Sequence, residues 1–135
     1  MNDLLFVYGT LKRGYGNNCL LDGSEFVGEA VTVEDCVMLN RGFPVMMLRE
    51  FHAAKHLWRP ARGELFRVTD AKTWETLDAL EGVPLLYCRE NIMVKKDDGE
   101  TLCAITYAGN PELYRDSGGV CGVTDANVYC YGMSR

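Results

Sequence analysis

Hydrophobic positions along this chain fall into short runs of two periods, and the periods predict the elements. Leu4 to Tyr8 is almost wholly apolar and short, the pattern of a strand covered on both faces. Residues 9–18 break that run with glycines and asparagines and read as a loop. Ala30 to Leu39 (AVTVEDCVML) is rich in β-branched residues and predicts a strand. NRGF then reads as a turn and PVMML as another short strand. Phe51 to Arg62 is a polar, irregular connection, and Gly63 to Thr69 alternates as a strand does.

At Thr69 the period changes. Trp74, Leu77 and Leu80 recur at helical spacing, Thr69 or Asp70 can cap the first turn, and Gly82 with Pro84 supplies a stop. Residues 87–95 and 101–107 predict paired strands. Asp98-Gly99 between them suits the positive φ angles of a tight hairpin. The segment 110–135 is irregular and stays unassigned. Strands, one mid-chain helix and further strands predict a single α+β domain over 1–135, built on a curved, mainly antiparallel sheet. The strict βαβ alternation of a doubly wound nucleotide fold is absent.

Composition narrows the function classes. A chain of 135 residues, 47% hydrophobic and 24% charged, suits one soluble globular domain. Its formal charge of −5, from 14 basic and 19 acidic residues, argues against a nucleic-acid partner. No apolar run approaches the ~18–20 residues of a bilayer span, so no membrane partner is expected. Met1-Asn2-Asp3 lacks the basic region of a secretory signal, and a cytoplasmic location is expected. The six cysteines form no Cys-x-x-Cys pair, and several sit inside apolar runs, so they read as buried free thiols. His52 and His56, spaced i, i+4, have no evident third ligand, and no metal is expected. Nothing in the residues sets an oligomeric state.

Two places offer chemistry. Each helical residue advances about 100°, so Glu81, seven after Trp74, points within ~20° of the same direction. Asp78 falls about 40° from Trp74 but has no glycine turn beside it. A carboxyl on an apolar stripe at the negative end of a helix dipole is pushed towards its neutral form and can shuttle protons near neutral pH. The alternative, in which Glu81 turns outward after Leu80 into water, is equally open. The loop after Tyr8 is the second place. A strand that ends in Gly-Thr can present consecutive N–H groups as a nest for a carboxylate or phosphate, or simply turn in water. It is not a P-loop, because Tyr15-Gly16 stands where Lys-Ser/Thr belongs. No flanking pattern supports a nucleophilic serine or cysteine.

Taken together, VYGTLKRG at 7–14 and LDALEGVPLLYCR at 77–89 closely resemble the gamma-glutamylcyclotransferase-like family, in its gamma-glutamylamine cyclotransferase and AIG2-like branch. GFPV at 42–45, RGELFRV at 62–68 and AITYAG at 104–109 agree, so the resemblance runs from Leu4 to about Gly109. It implies a partly barrelled α+β domain. It also implies that Tyr8, Gly9, Thr10 and Leu11 receive the α-carboxylate and amino end of a γ-glutamyl group, mostly through backbone. Glu81 would be general base and acid, and the glutamyl amine would attack its own γ-carbonyl to give 5-oxoproline and a free amine. The implied partner is a small-molecule γ-glutamyl substrate, and no cofactor is required.

Tyr87 and Arg89 match the family's Tyr-x-Arg and share one face of a strand. Either can line the pocket or brace the loop, with Arg89 read as a supporting ion pair. Tyr107 is a pocket wall, a phenolic donor or plain core. Lys12 and Arg13 are expected to be solvated support. The basic connection at 50–62 (His52, Lys55, His56, Arg59, Arg62) can favour an acidic leaving portion or can be merely solvated. A non-catalytic carboxylate-binding module of the same fold is the rival reading, with a cysteine hydrolase or ligase a weaker third.

Overall fold

The computed structural model describes residues 2–114 and 119–132. In chain order the elements are β1 (Leu4–Val7), β2 (Glu25–Thr32), β3 (Cys36–Asn40), β4 (Pro44–Leu48), β5 (Arg62–Arg67), α1 (Ala71–Glu81), β6 (Tyr87–Lys96), β7 (Thr101–Gly109) and a short α2 (Pro111–Tyr114). Five strands close into a barrel in the order β1-β5-β2-β6-β7. Neighbours are antiparallel except β1 and β7, whose parallel pairing at Leu5 and Ile105 completes the ring. β3 and β4 form a separate two-stranded ribbon. This is the expected α+β class with a mainly antiparallel, barrelled sheet.

The unbroken apolar run of β1 reflects two cores. Alternate side chains leave a strand on opposite faces. Leu4 and Phe6, with Tyr8 just past the strand end, join one buried cluster with Leu65, Val94 and Tyr129. Leu5 and Val7 join the other with Val37, Met47, Trp74 and Leu77, which is where α1 docks. The Trp74 indole N–H donates to the Val68 carbonyl at 2.9 Å and fixes the helix against the end of β5.

Ala30 to Leu39 is not one strand. β2 ends at Thr32 in the barrel and β3 begins at Cys36 in the ribbon. Thr32 holds the break: its hydroxyl donates to the Glu34 carbonyl and accepts from the Ala61 N–H, both at 2.9 Å. At the other end, β2 reaches back to Glu25 because its pairing with β5 continues across a bulge at Phe26–Gly28. The β6–β7 hairpin is wider than a two-residue turn, with Lys95 opposite Thr101 as its last pair and Gly99 alone taking a positive φ, 95°.

The irregular C-terminal segment is held by backbone bonds to distant strands. Cys121 N–H donates to Met38 O (2.8 Å), Tyr129 N–H to Pro60 O (2.9 Å) and Arg62 N–H to Tyr129 O (2.8 Å). Tyr129 is fully buried. All six cysteines are free, but only Cys36 and Cys121 are buried, and Cys19 and Cys103 are exposed. Cys103 sits at an outward position of β7, whose first three residues are not buried. No helix among the described residues is long and apolar enough to cross a membrane.

Candidate active site

Just past β1 the chain must turn sharply, and its side chains are tied down around that turn. The Tyr8 hydroxyl is buried, donating to the Tyr107 carbonyl at 2.5 Å and accepting from the Met46 N–H at 3.2 Å. Gly9 lies against Pro44: a Cβ there would stand 2.7 Å from the proline Cγ, closer than real atoms pack. A turn follows, with Lys12 N–H donating to Gly9 O at 3.0 Å. Asn17 clamps Thr10 twice, backbone N–H to carbonyl (3.0 Å) and side-chain amide to hydroxyl (2.8 Å), while the Asn18 amide donates to Leu11 O at 2.8 Å. The N–H groups of Thr10 and Leu11 meet no acceptor among the described residues. They are the unfilled donors that such a turn presents at its start.

Lys12 is not solvated as expected. It is buried, with its ammonium donating to the Tyr131 carbonyl at 2.9 Å and lying 5.3 Å from the Tyr15 ring centroid. The C-terminal segment therefore braces the loop. Arg13 is half-exposed, with its backbone N–H on Glu64 (2.8 Å) and its guanidinium 3.6 Å from the centre of the Phe26 ring.

The opposing wall comes from α1. Asp70 caps it, accepting from Lys72 N–H at 3.1 Å and from the Thr73 hydroxyl at 3.2 Å. Gly82 ends it in the left-handed region (φ 62°), its N–H donating to Ala79 O (3.2 Å) and Val83 N–H to Asp78 O (3.1 Å). That paired closure is the glycine-terminated helix stop, and it leaves Glu81 as the last helical residue. Trp74 and Leu77 are buried, but Leu80 is 41% exposed, so the inward stripe passes to Glu81. Of the two orientations that the stripe allows, Glu81 takes the inward one.

Gly9, Thr10, Leu11 and Glu81 border one cavity of about 320 Å³, within the range that holds a small ligand. Pro44, Tyr87 and Tyr107 complete its inner walls, and Phe43, Leu80 and Leu86 stand at its apolar side. Glu81 has no hydrogen-bond or ion-pair partner among the described residues. Burial pushes its carboxyl up from 4.5 to about 7. The field at a helix C-terminus acts in the same direction.

The tyrosine hydroxyls are engaged elsewhere. Tyr87 donates to Pro44 O at 3.1 Å and Tyr107 to Asp78 Oδ1 at 2.7 Å, so both offer the cavity their rings, as Tyr8 does. Arg89 does not line the cavity. It grips Asp78 through two hydrogen bonds of 2.9 and 2.8 Å and lies 4.6 Å from the centre of the Trp74 ring. Burial alone would raise the Asp78 carboxyl, but the hydrogen bonds from Arg89 and Tyr107 outweigh it and hold Asp78 below its ordinary range. Asp78, Asn17 and Leu86 are the residues that motif reading passed over. For Asp78 a signal existed, since an acid 40° off the stripe faces the neighbouring strand and its arginine. The basic connection does not take part: none of His52, Lys55, His56, Arg59 or Arg62 lines the cavity. Among the described residues no group of three or more His, Cys, Asp or Glu side chains is gathered to hold a metal.

Fold and cavity together define a small α+β barrel domain whose cavity carries a buried acid, Glu81. A family model described as "Gamma-glutamyl cyclotransferase, AIG2-like" matches residues 5–131, well past Gly109 and into the irregular segment. A Vibrio cholerae serotype O1 protein, provisionally named a gamma-glutamylcyclotransferase, is 36% identical over 68% of this chain and 73% of its own length. The Rattus norvegicus protein named gamma-glutamylaminecyclotransferase is 35% identical over 67% of this chain, which spans 62% of that relative. The crystal structure of an AIG2-like protein from Mus musculus superposes with a TM-score of 0.66 at 23% identity, over 98% of this chain and 97% of that one, a likeness of fold. The chain belongs to the gamma-glutamyl cyclotransferase, AIG2-like family and is an enzyme of that kind.

Proposed function

We propose that the protein converts a γ-glutamyl amide of the γ-glutamylamine type to 5-oxoproline and a free amine, with no cofactor. One observation carries this reading: an unpaired, desolvated carboxyl and two unfilled backbone donors border the same cavity. The name of the rat relative supports the amine type.

In this reading the Thr10 and Leu11 N–H groups receive the substrate's α-carboxylate. Asn17 and Asn18, with Gly9 packed on Pro44, keep those donors in place. Attacking amine and γ-carbonyl already share one molecule, so the protein has only to fold the substrate and move protons. The new bond joins the α-nitrogen to the γ-carbon, and the bond that breaks is the one from the γ-carbon to the leaving nitrogen. The α-nitrogen changes from ammonium to ring amide and loses two protons, and the leaving nitrogen gains two as it departs as an ammonium. No water is consumed. Glu81 accepts from one nitrogen and donates to the other, a role suited to a carboxyl titrating near neutral pH. Arg89 and Tyr107 act indirectly, by fixing Asp78 one turn before Glu81.

The reading is tested by incubating the protein with a panel of γ-glutamyl amides and measuring 5-oxoproline. Release from at least one amine-type member is expected. Ligand binding with every member left intact would favour the non-catalytic module instead.

A further inference from the structure

The turn after β1 carries its two unfilled donors, the Thr10 and Leu11 N–H groups, between fixed ends. Gly9 at its start packs on Pro44, and Lys12 at its close donates its N–H to Gly9 O at 3.0 Å. The Lys12 side chain reaches the C-terminal segment, where its ammonium donates to Tyr131 O at 2.9 Å. The Tyr15 and Tyr131 rings stand 5.8 Å apart beside it, and Lys12 is only 9% exposed. A Cβ on Gly132 would strike the Tyr15 hydroxyl, so the segment passes close over the loop. Burying an ammonium is costly unless an opposite charge answers it. A carbonyl dipole and a ring face offset part of that cost, but none of the ion pairs among the described residues includes Lys12. Arg13 shows the contrast: half-exposed, it pairs with Glu64 at 3.4 Å and Glu29 at 3.9 Å. A buried cation with no carboxylate therefore follows directly on two empty backbone donors.

We infer that Lys12 is a positioning residue whose counter-charge is the substrate's α-carboxylate, and that the C-terminal segment, by holding it, takes part in substrate recognition. The inference rests on the cyclotransferase reading above and adds a charge to the backbone grip of the loop. The Lys12 ammonium does not border the cavity, so it acts across the turn instead of touching the ligand. Its field crosses buried protein there, where water and salt screen it little. The bond to Tyr131 O keeps the ammonium from swinging out to solvent, and the backbone bond to Gly9 O ties it to the donors it supports. A neutral group in place of the carboxylate would gain nothing from this charge.

The test compares 5-oxoproline with its neutral carboxamide as ligands, and a γ-glutamyl alkylamide with its α-carboxamide analogue as substrates. Two variants remove the charge: Lys12→Met keeps the length of the side chain, and Lys12→Gln keeps a donor for Tyr131 O. Circular dichroism verifies the folding of each. Both should weaken 5-oxoproline binding about tenfold in calorimetry, and change carboxamide binding less than about twofold. With the carboxylate substrate, KM should rise about tenfold while kcat stays within about twofold of wild type. An equal loss for carboxylate and carboxamide, or a fall in kcat alone, overturns the assignment and marks Lys12 as a structural tie. Wild-type binding and KM in both variants overturn it as well, and each of these results leaves the cyclotransferase reading standing. No turnover of any amide by wild type, with 5-oxoproline binding still dependent on Lys12, keeps the role of Lys12 and sinks the reaction. No turnover and no dependence on Lys12 sinks both.

Discussion

Arg89 closes on both carboxylate oxygens of Asp78, at 2.9 and 2.8 Å, and so ties the last turn of α1 to β6. Tyr107 adds a third bond from β7 at 2.7 Å. The position of Glu81, three residues further on, depends on this cross-brace. Asp78→Asn tests it with almost no change of shape. Both partners are about one-third exposed, so solvent screens the pair and its loss should cost about 1 kcal/mol in urea unfolding at neutral pH. Asp78 has a folded pKa below its unfolded value, so its contribution is present above that value and is lost as pH falls through the folded one. Wild type and variant should therefore converge in stability below about pH 4.

Glu81 works in the opposite sense. Its folded pKa, about 7, lies above the unfolded 4.5, so the folded state binds the extra proton. The resulting stability is complete below the unfolded value and drains away as pH rises through the folded one. Glu81→Gln, which cannot ionise, should match wild type below pH 4.5 and gain on it steadily as pH rises from there to about 7, with no further change above. With allowance for partial exposure the gain should be about 2 kcal/mol. Chemical unfolding across that pH range measures it. A difference that stays constant with pH would mean that Glu81 is solvated.

Tyr8 predicts a loss of another kind. Tyr8→Phe keeps the packing but strands the Met46 N–H and the Tyr107 carbonyl, both of which meet the hydroxyl in a buried setting. An unsatisfied buried donor costs about 1–3 kcal/mol. The variant should unfold at lower denaturant by that amount, with faster hydrogen exchange at the Met46 amide.

Legibility in the sequence followed the range of the interactions. β1, α1 with its Asp70 cap and Gly82 stop, and the β6–β7 pairing were readable because period and terminating residues are local signals. The break at residues 33–35 was not, because AVTVEDCVML stays strand-like throughout while Thr32 bends the chain by bonding to Ala61. Lys12 looked like a surface cation, and its partner is a carbonyl 119 residues away. At the candidate site, the loop and Glu81 stood out as motifs. Asp78 and Leu86 did not, since each matters only through what other segments bring beside it. The stripe itself misled at Leu80, which helical spacing alone places in the core.

The central claim is that Glu81 moves the protons in a ring closure on a γ-glutamyl amide. The most direct measurement compares 5-oxoproline release by wild type and Glu81→Gln, on the same amine-type substrate at pH 7, with folding of both verified by circular dichroism. General acid–base catalysis by one side chain is worth about 10²–10⁴ in rate, and a fall of about a thousandfold in kcat is predicted. A variant that releases 5-oxoproline as fast as wild type would contradict the account.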